Sequence, residues 1–263
     1  MIEVNEIDHP EIQIFRSLRD NILKNEDQII VESEKVVLKL LETDIEIIKA
    51  FLTHNFFEKH RYLIEQRIAH ISKIFLTDKK IMKQIVGYNV HQGAMMLANR
   101  PQNTPINEIT FPVLVLNGLT QLENVGTIIR NARAFGINSI IVDTTTCNPW
   151  HRRCIRVSMG NVFYMNIHST ENLEKTINNM KKQNIKITGT TGKVIAKNIH
   201  DHTFIKNCAV IIGSEGNGIA PEIAKICDDF VRIPVLQNVS SINAACAAGI
   251  ILYKMNVDLS IFR

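Results

Sequence analysis

Paired cysteines are missing from this chain. The five present (Cys147, Cys154, Cys208, Cys227 and Cys246) are odd in number and form no CxxC pair. That argues against both a zinc site and a disulfide framework, and isolated cysteines are mostly small core residues. No metal is expected. No apolar run approaches the roughly 20 residues that a membrane span needs. The start, MIEVNEIDHPEIQIF, lacks a basic stretch leading into an apolar one, so neither a secretory signal nor a membrane partner is expected, and cytoplasmic residence is the default. A dinucleotide fingerprint is also missing, because GSEGNG at 213–218 lacks GxGxxG spacing; this argues against a dehydrogenase. TGTTGKV at 188–194 is no P-loop, since Ile187 stands where the first glycine belongs and Val194 replaces Ser/Thr.

What is present suits a globular α/β protein. The 263 residues allow one large domain or two of moderate size, and the 45% hydrophobic content is ordinary. Residues 1–100 hold 14 Lys+Arg against 15 Asp+Glu, whereas residues 101–263 hold 16 against 11. The basic excess therefore lies in the second half, where Arg130, Arg133, Arg152, Arg153 and Arg156 face only Asp143 between 130 and 156. Two readings stand: scattered surface charge, or a footprint for an anion or nucleic acid.

Strand-like and helix-like segments alternate over the first hundred residues, from DQIIV to DKKIMKQIVG, where Asp78 is the expected cap and Gly87 the stop. NRPQNTPINEIT (99–110) is polar with two prolines and no apolar period, so 101–110 is the linker candidate. Beyond it, FPVLVLNGL, INSIIVD, VFYMNI, IKITGTT and CAVIIGS read as strands with helices between most of them. This predicts a mainly parallel sheet with helices on both faces.

Three stretches carry chemistry. In ENVGTIIRNARAFGINSIIV (123–142), Ile128, Ala132 and Phe135 form a helical apolar face, Asn124 sits where an N-cap belongs and Gly136 closes the helix. Packing does not account for Arg130 and Arg133. In AVIIGSEGNGIAPEI (209–223), a buried strand enters a Gly-rich turn before Pro221 opens a helix. Glu215 would repel phosphate there, so the loop suits a neutral or cationic ligand better; a plain strand-to-helix turn is the alternative. RIPVLQNVSSINAACAAGIILYK (232–254) leads from a strand into a helix dense in alanine, with Ser241 and Asn243 at its entrance. Close helix packing accounts for the alanines, and capping for only one of the two polar residues.

In this order the stretches resemble the SpoU family of RNA 2′-O-ribose methyltransferases, within the trefoil-knotted SPOUT superfamily. The carrying residues are N-x-G-x-x-x-R with A-x-x-F-G (Asn124, Gly126, Arg130, Ala132, Phe135, Gly136), then G-x-E-G-x-G (Gly213, Glu215, Gly216, Gly218). Next come Ile233–Pro234 and Ser241–Ile242–Asn243, and RVSMG (156–160) resembles the family's R-x-S-x-G. The chain departs from the family's Asp-Pro at Gln121 and Leu122, and from its glycine at Gln237.

The resemblance implies a SPOUT methyltransferase domain over 111–263 and, over 1–100, a smaller α/β RNA-binding domain similar to a ribosomal protein. It implies S-adenosylmethionine as donor, leaving as S-adenosylhomocysteine, held by Gly213, Glu215, Gly216, Gly218, Ile233, Val235, Ser241 and Ile242. Asn124, Glu215, Ser241 and Asn243 would orient Arg130, the ribose and the donor. A knot would be a rare exception to unthreaded connectivity. Arg130 answers the first puzzle: it would sit beside the forming alkoxide and the adjacent phosphate, as a phosphate anchor and alkoxide stabiliser, since a guanidinium with a pKa above about 12 is a poor base. RNA contacts are expected at Arg133, Trp150, Arg152, Arg153, Arg156 and Ser158, with Trp150 able to stack on a base. Arg133 in a surface pair, and Trp150 as a core or interface anchor, are the alternatives. Structured RNA is the expected partner, ribosomal (23S) rather than transfer RNA, and a homodimer through the C-terminal domain is implied. The rival readings are a transfer-RNA methyltransferase and a non-catalytic RNA-binding protein of the same fold.

Overall fold

The computed structural model describes residues 1–16, 27–68, 70–87, 93–236 and 242–261. The chain folds into two compact units. One is Met1–Gln102 with Trp150–Phe163; the other is Asn103–Pro149 with Tyr164–Arg263.

The first unit contains β1 (Ile2–Glu3), β2 (Gln28–Glu32), α1 (Glu34–Leu41), β3 (Ile47–Thr53), α2 (His54–Arg67), β4 (Ile74–Thr77), α3 (Lys79–Val86) and β5 (Ala94–Asn99). Its sheet runs β1-β4-β3-β5-β2, parallel from β1 to β3 and antiparallel on either side of β5. Phe15, Phe51 and Phe75 are buried in its core with Ile85 and Val86 of α3. Gly87 ends α3 in the left-handed conformation, as its position in the sequence predicts, while Asp78 occupies the N-cap place without a side-chain capping bond.

The second unit holds β6 (Val113–Asn117), α4 (Leu122–Ala134) and β7 (Ser139–Asp143). The chain then contributes α5 (Arg152–Val157) to the first unit. It resumes with β8 (Asn166–Thr170), α6 (Leu173–Lys182), β9 (Lys186–Thr190), β10 (Lys197–Asn198), β11 (Cys208–Gly213), α7 (Pro221–Ala224), β12 (Asp229–Arg232) and α8 (Ala244–Leu259). The sheet order is β10-β12-β9-β11-β6-β7-β8, with every neighbouring pair parallel. The aliphatic runs of β6, β7 and β11 are buried along almost their whole length, as strands covered on both faces must be. α8 packs on α4, and a Cβ on Gly249 would come within 3.2 Å of the Asn131 amide. The small residues of α8 thus do what their size predicts, with Ala244, Ala245 and Ala248 buried.

Three expectations change. Residues 103–110 are not a free linker: Thr104 N–H donates to the Ile167 carbonyl at 2.9 Å, Asn103 bonds both backbone groups of Ser169, and Thr110 bonds the Ser139 hydroxyl at 2.8 Å. These contacts are polar, so no apolar period announces them. Residues 150–163 belong with the first unit, so the methyltransferase half is not one continuous segment. Asn124 is no N-cap; α4 starts at Leu122 after Gln121, and the Asn124 side chain is engaged elsewhere. Among the cysteines, Cys154 and Cys208 are buried and Cys246 is exposed. Burial pushes the Cys208 thiol up to about 12 and the Cys227 thiol up to about 11, which keeps both protonated and unreactive.

Candidate active site

Ligands of open parallel sheets gather beyond the carboxyl ends of the strands. Here the carboxyl ends of the four neighbouring strands β12, β9, β11 and β6 meet at one place, and the loops leaving them build the site. The loop after β11 turns sharply. Ser214 and Gly218 exchange backbone hydrogen bonds at 3.0 Å, and Gly218 adopts φ +68°. A Cβ on Gly213 would lie 2.3 Å from the Gly218 carbonyl carbon and the Ile219 nitrogen, so only glycine fits.

This turn presents Glu215 to both other motifs. Its Oε1 accepts from Asn124 Nδ2 at 2.8 Å, from Asn243 Nδ2 at 2.7 Å and from the Ala244 N–H at 3.2 Å. Asn243 Nδ2 also reaches Asn124 Oδ1 at 2.9 Å. Gln121, the departure from the family pattern, donates to Glu215 Oε2 at 3.3 Å. Asn243 is meanwhile the N-cap of α8, its Oδ1 accepting from the Ala245 and Cys246 N–H groups. One carboxylate therefore ties together residues more than a hundred positions apart in sequence.

Behind it stands a support that the sequence reading missed. Asp143, at the end of β7, accepts from Asn117 Nδ2 at 2.8 Å, the Gly118 N–H at 3.2 Å, and the Thr145 and Thr146 hydroxyls. Burial pushes its carboxyl up, but the bonds from Thr146, Thr145, Asn117 and Gly118 outweigh burial and hold it below the ordinary range. Asn117 Oδ1 in turn accepts the Ala220 N–H at 2.8 Å. The turn leading into α4 and the chain just beyond the Glu215 turn are thus fixed to one anchor.

Glu215 lines two cavities. One of about 480 Å³ is walled by Gly213, Glu215, Gly216, Gly218, Ile233, Val235 and Ile242, all expected to hold the donor. Thr190, Thr191, Gly192 and Arg232 line it too and were not foreseen; the usable signal was the polar loop at the carboxyl end of a buried strand. The other, about 330 Å³, lies between the 118–121 turn, Asn124 and the Glu215 loop. Ser241 falls outside the described residues.

The arginines are placed differently from expectation. Arg130 is exposed, has no hydrogen-bond or ion-pair partner among the described residues, and lines neither cavity. Asn124 gives its side-chain bonds to Glu215, Gln121 and Asn243, not to Arg130. Six residues along a helix place Arg130 about 9 Å further on and about 120° round from Asn124. Arg133 bonds Asn138 and lies 5.8 Å from the Tyr164 ring centroid. In the first unit, Arg152 and Arg156 both pair with Glu32, at 2.8 and 2.9 Å, and Glu32 is only 3% exposed. These two cations answer a buried carboxylate, which needs them. Trp150 is 6% exposed, and Ser158 is fully buried with its hydroxyl bonded to the Ile155 carbonyl. Neither presents a surface to RNA, which corrects that expectation; of the two readings for Trp150, the buried anchor fits. Arg153 is exposed. Among the described residues no cluster of His, Cys, Asp or Glu could hold a metal, and no helix is long and apolar enough to cross a membrane.

The chain is similar to known proteins over most of its length. It is 31% identical over 200 residues to the 23S rRNA (guanosine-2′-O-)-methyltransferase RlmB of Vibrio vulnificus, covering 73% of this chain and 80% of that one. In fold it matches an AdoMet-bound rRNA methyltransferase from Sinorhizobium meliloti (TM-score 0.83, 23% identity, 97% of both chains). It also matches the SpoU methyltransferase AviRb from Streptomyces viridochromogenes (TM-score 0.80, 19% identity, 95% of this chain and 98% of that one). The SpoU rRNA Methylase family model matches residues 112–253, more than half of the chain. The chain belongs to the SpoU rRNA methylase family.

Proposed function

We propose that this protein methylates a ribose 2′-hydroxyl of 23S ribosomal RNA, with S-adenosylmethionine bound in the cavity of about 480 Å³. The observation that carries this is Glu215, fixed by Asn124 and Asn243 in the wall shared by two cavities. The larger cavity fits the donor chemically. Ile212, Val231 and Ile251 offer apolar surface to a nucleobase, and the Gly213 turn lets backbone approach closely. Glu215 faces a cation well, and Arg232, whose Nε is buried with no hydrogen-bond partner among the described residues, offers a cation to a carboxylate. The cavity of about 330 Å³ then takes the ribose.

When bound, S-adenosylmethionine supplies the methyl group, on a sulfonium whose charge is lost on transfer. Glu215 and the two asparagines hold the walls that align the acceptor with that methyl, a positioning contribution. Arg130, exposed and without a hydrogen-bond or ion-pair partner among the described residues, lines neither cavity and is assigned the anchoring of a phosphate of the bound RNA, while the 2′-hydroxyl proton passes to the RNA phosphate or to water as the methyl is transferred. Arg153 is retained as an RNA contact, and the first unit as the RNA-gripping domain. The homodimer is supported by an exposed stripe on α8, with Ile250, Tyr253 and Val257 exposed at 42%, 59% and 52% at helical spacing beside Cys246.

The deciding experiment supplies radiolabelled methyl donor and unmethylated 23S rRNA transcript, then maps resistance to alkaline cleavage. A resistant linkage 3′ to one nucleotide is expected. Label on a base, or donor binding with no transfer to any RNA, would overturn the reading.

A further inference from the structure

A third cavity, of about 490 Å³, adjoins the one assigned to the donor and shares Thr190, Thr191, Gly192, Asn217 and Gly218 with it. The donor does not need this space, because pockets of roughly 300–1,000 Å³ already enclose ligands of its size. The lining that the two cavities do not share differs in character. Lys193 and Lys197 bring two exposed cations with no ion-pair partner among the described residues, and no lining residue is acidic. Ile195, Ile219 and Phe230 bring apolar surface. Val194 and Ile195, between the lysines, are 80% and 96% exposed. Two adjacent aliphatic side chains left in water beside a cavity gain by being covered.

Flat apolar surface next to paired cations is the chemistry of a nucleobase with its flanking phosphates. We propose that this cavity is a subsite for one unpaired nucleotide of the substrate RNA, set beside the donor cavity. Lys193 and Lys197 hold its phosphates, and Ile195 and Phe230 cover the base. The proposal rests on the methyltransferase reading for the identity of the neighbouring cavity. It adds a determinant of which RNA is chosen.

The test uses the full-length protein, unmethylated 23S rRNA transcript and S-adenosylmethionine, with the K193E/K197E double variant and, separately, Ile195→Ala. These side chains are exposed and line only the third cavity, so folding should be preserved and donor affinity should stay within about twofold. Transcript affinity of the double variant should fall roughly tenfold or more, about 1.4 kcal/mol or above. Its log K against log salt slope should shrink by about 1.4, the value for two single-strand phosphates. Ile195→Ala should weaken binding severalfold without changing that slope.

Unchanged RNA affinity and slope would overturn the proposal. So would a tenfold loss of donor affinity, which would make the cavity part of the donor site. So would a shift of the double variant to a smaller species in sedimentation, which would make the loop a contact between copies. Loss of RNA affinity in the variants of a protein whose wild type transfers no methyl would support the subsite and overturn the methyltransferase reading, so the two failures are separable.

Discussion

Asn243 has two jobs on two different atoms, and one substitution separates them. Its Oδ1 caps α8 and its Nδ2 donates to Glu215 Oε1 at 2.7 Å. Aspartate caps a helix as well as asparagine, and its charge at the helix start adds about 0.3–1 kcal/mol. Asn243→Asp therefore keeps the cap. It replaces a donor with a second carboxylate oxygen at hydrogen-bond distance from Glu215. In a fully aqueous dielectric the repulsion at that distance is about 1.5 kcal/mol, and both residues are exposed, so the aqueous value applies. The lost bond adds about 1 kcal/mol, giving about 2–3 kcal/mol against the closed network.

Because Glu215 and Ala244 both line the donor cavity, the cost should appear as a thirtyfold or greater loss of S-adenosylmethionine affinity at pH 8, read by titration calorimetry. Asn243→Ala provides the contrast. It loses the cap, about 1 kcal/mol, and introduces no repulsion. Thermal stability should therefore rank Asn243→Asp above Asn243→Ala, and donor affinity should rank the other way. Lowering the pH should restore binding to the Asp variant alone, since two facing carboxylates can share one proton. If both variants bind donor within threefold of wild type at pH 8, the Glu215 network does not shape the cavity.

Other perturbations test other parts. Gly213→Ala drives a Cβ into backbone at 2.3 Å; melting and calorimetry should show a loss of about 1–3 kcal/mol and no measurable donor binding. Glu32→Ala leaves Arg152 and Arg156 without the buried carboxylate they share; denaturant unfolding should show about 2 kcal/mol, below the 3–5 kcal/mol of a fully buried pair, because the Arg156 side chain is 45% exposed. Burial holds the His202 imidazole below its usual range, against the nearby Asp229 and Asp258 carboxylates and with help from Lys186 and Lys197. The unfolded chain takes up that proton near pH 6.5, so this contribution to stability is present above about 6.5 and is lost as pH falls further. His202→Gln should flatten the pH dependence of the unfolding midpoint below pH 6.5. Tyr253→Glu on the exposed stripe of α8 should shift sedimentation towards a smaller species if that stripe joins two copies.

The sheet was legible because fully buried parallel strands must be aliphatic throughout, as VLVL in β6 and AVII in β11 are. The cavity proposed for the donor was legible in part, because close backbone approach demands glycine at 213, and Ile233 and Ile242, which the resemblance assigns to the donor, line it too. The supporting layer was not. Asp143, Asn117 and Thr146 act through hydrogen bonds across strands, and no spacing along one strand records a partner on the next. The hydrogen bonds that tie residues 103–110 to the second unit leave no spacing signal for the same reason.

The arginines show where a charge count along the sequence stops carrying information. Between 130 and 156 five guanidinium groups face one acidic residue of that stretch, which reads as a single anion-binding footprint. The fold distributes them among unrelated tasks. Arg152 and Arg156 neutralise Glu32, which lies over a hundred residues earlier, and Arg133 stays with Asn138 and Tyr164. A buried carboxylate is costly unless cations reach it, so two of the five arginines are the other half of an ion pair whose acid lies in the first unit's sheet. Arg130 differs: no hydrogen bond or ion pair among the described residues answers its charge. The cations proposed to meet RNA are thus Arg130, Arg153, Lys193 and Lys197. The two lysines lie far from the arginine run and drew no notice in the sequence, because they flank two hydrophobic residues instead of other charges.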